Sequence, residues 1–102
     1  MVYRIVVTYK ADDDLNSIFA YIAEKLASPA AIHFAEAVES VYRNLIGYPE
    51  MYGFVPDKRL AEKGYRRAVI HNYVMLYLVD KEREEVKIVR FFYGKRNYTK
   101  YL

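Results

Sequence analysis

The sequence predicts an α+β fold with the order β-α-α-β-β-β, a helical hairpin packed on one face of a twisted, mainly antiparallel sheet. Three observations carry that expectation. A β-branched and aromatic run opens the chain; two consecutive segments then place apolar residues at helical spacing; three strand-like runs with short connections follow. Layering the helical pair on the sheet buries the apolar stripe of one and the apolar face of the other.

The elements follow in order. "VYRIVVTY", Val2 to Tyr9, is the first strand. In "DDDLNSIFAYIAEKLAS" the residues Leu15, Ile18, Phe19, Ile22 and Leu26 recur at helical spacing, and Asp12 to Asp14 suit the positive end of that helix. Ser28 followed by Pro29 marks a second helix start, a capping hydroxyl and then a ring already fixed at helical φ. Its stripe is Ala31, Phe34, Ala35, Val38, Val41, Tyr42 and Leu45, and Gly47 and Pro49 end it. The short break between the helices makes them antiparallel neighbours. "EMYGFVPDKRLAEKG" reads as a loop with a brief strand near Tyr52 to Val55. Tyr65–Ile70, Tyr73–Val79 and Val86–Tyr93 are strands, joined at His71–Asn72 and Lys81–Glu85 as antiparallel hairpins. The sheet face away from the helices is expected to stay partly open to a ligand.

At 102 residues with 54% apolar side chains, one packed domain spanning residues 1–102 is expected. The sequence holds no cysteine, so disulfides and thiolate metal sites are excluded. The N-terminal apolar run is too short for a signal peptide and nothing approaches a membrane span, which predicts a soluble, cytoplasmic chain with no membrane partner. Net charge is +3, unevenly placed. Residues 1–51 hold four basic and seven acidic side chains, residues 52–102 twelve and six, so an anionic partner would meet the C-terminal half. Twelve tyrosines and no tryptophan supply rings that carry a polar handle.

The candidate residues cluster in two blocks. In "GYRRAVIHNYVMLYLVD" Arg66 and Arg67 are adjacent on a strand, so their side chains point to opposite faces. Only one can face the open side; the other braces the fold as a salt bridge or by covering apolar surface. "YGKRNYTKYL" offers Lys95, Arg96 and Lys100 for phosphate, and Tyr98 and Tyr101 as phenols. Arg90 lies inside an apolar strand and by alternation shares a face with Val86, Ile88 and Phe92. A buried, unpaired guanidinium is costly, so Arg90 either pairs with an acid or sits at the lip of the open face. His71 can serve as a general base, but polar residues are expected in the hairpin turn it occupies; His33 lies off its helix stripe. No carboxylate–histidine group has metal spacing, and glycine-rich phosphate loops and Ser-His-Asp signatures are absent, so no metal or cofactor is expected.

Three blocks in this order, "ADDDLNSIFAYIAEKLASPAAIHF", "GYRRAVIHNYVMLYLVD" and "VKIVRFFYGKRNYTKYL", make the chain resemble the RelE/ParE superfamily of type II toxin–antitoxin toxins over nearly its whole length. The resemblance implies a growth-inhibiting toxin, of a kind tied to plasmid stabilisation. It also implies a small, acidic, partly disordered cognate antitoxin, through which alone the toxin would meet operator DNA. Two targets follow from it. RelE-like members are mRNA interferases that cut mRNA in the ribosome without a metal, which makes ribosome and mRNA the partners; ParE-like members inhibit DNA gyrase and are not enzymes. For the nuclease the resemblance implies Arg66 or Arg67, Arg96, and Tyr98 or Tyr101 as catalytic groups; by charge and position Lys95, Lys100 and Arg90 are the expected RNA-binding cations beside them. Two departures stand out. Ala68 replaces a lysine found in some nucleases, and Val74 occupies the place where the mRNA-cutting members commonly carry an arginine. A third reading is a toxin fold that has lost its activity and only binds its antitoxin.

Overall fold

A computed structural model describes residues 2–102 of the chain. The order is β1 (Arg4–Val7), α1 (Tyr9–Lys25), α2 (Ser28–Gly47), α3 (Lys58–Glu62), β2 (Arg66–Ile70), β3 (Tyr73–Asp80) and β4 (Glu85–Tyr93). A C-terminal 3₁₀ turn over Tyr98–Tyr101 follows. The sheet order is β1-β4-β3-β2, with β1 parallel to β4 and the other pairs antiparallel.

Helix α1 starts earlier than its acidic run suggests. The Thr8 hydroxyl caps it by accepting from the Ala11 N–H at 3.1 Å, so the first strand ends at Val7 rather than Tyr9. Asp12 does lie in the first turn of α1, as its charge suits. Helix α2 takes in Ser28, whose hydroxyl caps nothing; the cap residue is Ala27, whose carbonyl accepts the Ala30 and Ala31 N–H groups. The segment read as a loop also holds α3, capped by the Asp57 carboxylate on the Leu60 N–H at 2.9 Å, and the brief strand shrinks to a single bridge between Phe54 and Arg66.

Two cores flank the sheet. The larger lies under the helices and joins Ile18, Ile22, Phe34, Val38 and Leu45 to Ala68, Ile70, Met75, Tyr77, Val86, Ile88 and Phe91. The smaller lies on the opposite face, where Val55, Leu60 and Tyr98 pack on Val74, Leu76 and Phe92. The face expected to be open is therefore largely covered by α3 and the C-terminal turn. Arg59 clasps that turn, donating to the Thr99 carbonyl at 2.9 Å and the Leu102 carbonyl at 3.2 Å.

A bulge in β4 changes which residues share a face. Leu76 pairs with Arg90 and Tyr77 with Ile88, leaving Val89 as an extra residue. Val86, Ile88 and Phe91 thus face the helices, while Phe92 turns to the smaller core. Arg90, facing Leu76 across the ladder, parts company with Val86 and Ile88, contrary to simple alternation.

Candidate functional site

Arg66 and Arg67 do point to opposite faces. Arg66 stands opposite Tyr77 of the helix-side core, Arg67 opposite Leu76 of the smaller one. The Arg66 guanidinium is fully engaged within the fold. It donates to the Tyr52 carbonyl at 2.7 Å, pairs with the Glu50 carboxylate at 3.3 Å and lies 4.0 Å over the Phe54 ring. The same Tyr52 carbonyl accepts the Tyr77 hydroxyl at 3.4 Å, and burial pushes that phenol up to about 12. Arg66 ties the loop before α3 to the sheet and stands apart from the other candidate cations.

Arg67 instead lines a hollow of about 260 Å³ together with His71, Val74, Tyr93 and Lys95. The β2–β3 turn sets this up. His71 takes φ 55°, a left-handed turn conformation, and the Gly94 N–H donates to the Asn72 carbonyl at 2.8 Å, bringing the start of the C-terminal segment against that turn. A Cβ on Gly94 would stand 3.1 Å from that carbonyl, so the close approach suits glycine. Among the described residues neither Arg67 nor Lys95 has a carboxylate within ion-pair distance.

Arg96 lies on the other side of Tyr93, in a neighbouring hollow of about 510 Å³ that it shares with Asp14, Phe92 and Tyr93. Its guanidinium donates to the Tyr101 hydroxyl at 2.8 Å and sits 4.6 Å from that ring. Tyr101 stacks on Phe92 at 5.8 Å and remains exposed. The hydrogen bond from Arg96 holds the Tyr101 phenol below its ordinary titration range, helped by the charges of Arg96, Lys100 and Arg90. Arg96→Ala is therefore expected to raise the Tyr101 titration midpoint, read from its ring carbon shift by NMR; an unmoved midpoint would show that the bond is absent in solution. Lys100 lies 5.5 Å from the same ring. Tyr98, the other candidate phenol, is buried against Phe92 in the smaller core, away from solvent.

Arg90 takes the ion-pair alternative. Its Nε and Nη2 donate to the Asp14 carboxylate at 2.7 and 3.1 Å, and its guanidinium lies 4.5 Å over Phe92. With both arms of its fork held inside the fold, Arg90 carries charge to the site without being a free phosphate ligand. Two groups beyond the sequence candidates join the site: His71, set aside there as a turn residue, and Tyr93, whose ring borders both hollows. Their signal in the sequence was position beside the paired turns; chemistry alone did not single them out.

The sheet bears a helical hairpin on one face, and two cations without an acidic partner among the described residues, Arg67 and Lys95, lie where the β2–β3 turn meets the C-terminal segment. The profile described as "ParE toxin of type II toxin-antitoxin system, parDE" matches residues 5–98. The chain belongs to that family of type II toxin–antitoxin toxins. Solved structures agree in fold. The chromosomal ParDE toxin–antitoxin system from P. aeruginosa superposes with a TM-score of 0.72 at 16% identity, covering 92% of this chain and 98% of that one. The RelBE2 toxin–antitoxin complex from Mycobacterium tuberculosis gives 0.63 at 23% identity, over 91% and 99%. The YoeB/ParE toxin from Agrobacterium tumefaciens gives 0.60 at 18%, over 88% and 96%. No curated protein sequence matches the chain. Among the described residues no helix is long and apolar enough to cross a membrane, and no group of three or more metal-ligating side chains occurs.

Proposed function

We propose that this toxin halts growth by cutting mRNA on the ribosome, using the hollow formed by Arg67, His71 and Lys95. The observation that supports this reading is that one concavity joins two cations lacking acidic partners to an imidazole. Metal-free RNA cleavage needs those groups. The 2′-hydroxyl attacks the phosphorus as His71 takes its proton; Arg67 and Lys95 offset the charge that builds on the phosphate. The P–O5′ bond breaks, leaving a 2′,3′-cyclic phosphate, and the leaving 5′-oxygen takes a proton from solvent. Arg66, spent on Glu50 and Tyr52, has no part in this scheme.

The partners follow from charge. A small acidic antitoxin, partly disordered until bound, would cover the basic half of the chain, and operator DNA would be reached through that antitoxin only. A ribosomal target places the toxin in the cytoplasm, without cofactor.

One observation favours a second reading, inhibition of DNA gyrase without catalysis. Val74, where mRNA-cutting members commonly carry arginine, is 3% exposed and packed in the smaller core, so no charged group emerges there. Inducing the chain without its antitoxin, then mapping mRNA 5′ ends and assaying gyrase supercoiling in parallel, separates the two. Codon-phased cuts are expected, falling on the order of 100-fold or more in Arg67→Ala and His71→Ala while Arg66→Ala cuts at sites unchanged. Intact transcripts with blocked supercoiling would replace the first reading by the second.

A further inference from the structure

We propose that the hollow between the α1–α2 connection and the β2–β3 turn is a pocket for one unstacked base of single-stranded RNA, continuous with the phosphate end at Arg67 and Lys95. The inference rests on the RNA-cleavage reading and names the part of the substrate that the cations do not reach.

This second hollow measures about 260 Å³ and is lined by Tyr21, Leu26, Phe34, His71, Tyr73 and Tyr93 among others. It shares His71, Tyr73 and Tyr93 with the cationic hollow, so an aromatic end and a charged end adjoin. The floor is fixed: Phe34 is fully buried and holds Tyr73 at 5.2 Å and His71 at 5.9 Å between ring centroids. Tyr73 in turn meets Tyr93 edge-on at 5.9 Å. The rim is wet. Tyr21 is 56% and Tyr93 47% exposed, large rings that the core leaves unused. Three phenols converge here, since burial first, and then the neighbouring Tyr21 and Tyr93 phenols, raise the titration of Tyr73.

Rings with polar tips beside a guanidinium and an ammonium complement a nucleotide. A base offers a flat apolar face and edge hydrogen-bonding groups; its phosphate offers the charge. An acidic peptide with an apolar side chain is the competing occupant, and it would show as a site that does not prefer the nucleotide over the sugar phosphate. An unpaired base splayed from the strand fits both ends at once.

The test compares two probes on the full chain, adenosine 5′-monophosphate and ribose 5-phosphate, by NMR titration. The nucleotide is expected to bind roughly tenfold or more tightly than the sugar phosphate, within the range that stacking on an aromatic ring supplies. Tyr21→Ala should erase that difference and spare ribose 5-phosphate binding, Tyr93→Ala should erase it whatever its effect on the sugar phosphate, Tyr21→Phe should keep it, and Arg67→Ala should weaken both probes. Circular dichroism checks that each variant is folded. Equal affinity for the two probes, no binding of the nucleotide, or a preference that survives Tyr21→Ala and Tyr93→Ala would overturn the pocket. Base preference with uncut mRNA in cells would leave the pocket standing and remove the nuclease reading; cut mRNA with no base preference would remove the pocket alone.

Discussion

Asp14→Ala is expected to lower the stability of the fold by about 3 kcal/mol, the usual cost of stripping one partner from a largely buried ion pair. For a chain of this size that is a fall in Tm on the order of 15 °C. The two side chains are only 15% and 16% exposed, so water screens the pair weakly. Asp14 also has a second task. Strand β1 ends at Val7, paired with Ile88, and beyond that point the outer side of β4 has no neighbouring strand. The Thr8 hydroxyl donates to the Val89 carbonyl at 2.9 Å, and the Asp14 carboxylate accepts the Phe91 N–H at 3.0 Å. A side chain from α1 thus continues the ladder where the backbone stops. Removing it strands both a guanidinium and an amide. Chemical denaturation of Asp14→Ala, Arg90→Met and the double variant Asp14→Leu/Arg90→Met checks this, with much of the loss recovered when both charges go. A loss below roughly 1 kcal/mol for Asp14→Ala would class the pair with ordinary surface bridges.

Phe34→Ala should cost about 3–5 kcal/mol, the range for removing a buried aromatic ring and leaving a cavity. Phe34 is 0% exposed and touches Phe19 at 5.6 Å, Tyr73 at 5.2 Å and His71 at 5.9 Å, so it joins the helical hairpin to the β2–β3 turn. The expected readout is a lower urea midpoint at unchanged slope, and Phe34→Leu should lose distinctly less. A small loss for Phe34→Ala would mean that the helices close over the gap. The ring also supports Tyr73 and His71 from below, which couples the integrity of the site to the core.

The helices and strands could be read from the sequence because their apolar spacing has the period of the element that buries it. Where that reading slipped, a local bond overrode the pattern. Thr8 is β-branched and reads as strand, yet its hydroxyl caps α1. Five-residue α3 is too short to show helical periodicity and is set by Asp57. The bulge at Val89 sits in an unbroken apolar run, where an extra residue leaves no mark. The site divides in the same way. Alternation separates Arg66 from Arg67, but which of them is free depends on Glu50, distant in the chain and brought near only by the fold. His71 and Tyr93 join Arg67 through the packing of a turn against the C-terminal segment, which no spacing rule encodes.

The parallel pairing of β1 with β4 has a consequence for how the toxin comes into being. Residues 4–7 find their hydrogen-bond partners at 85–88, nearly the whole chain away. Contacts so distant along the polypeptide form late, and here they must wait for the C-terminal strand to be synthesised. A nascent chain that has not yet emerged as far as residues 85–88 therefore lacks its completed sheet, and the fold closes only once β4 is made.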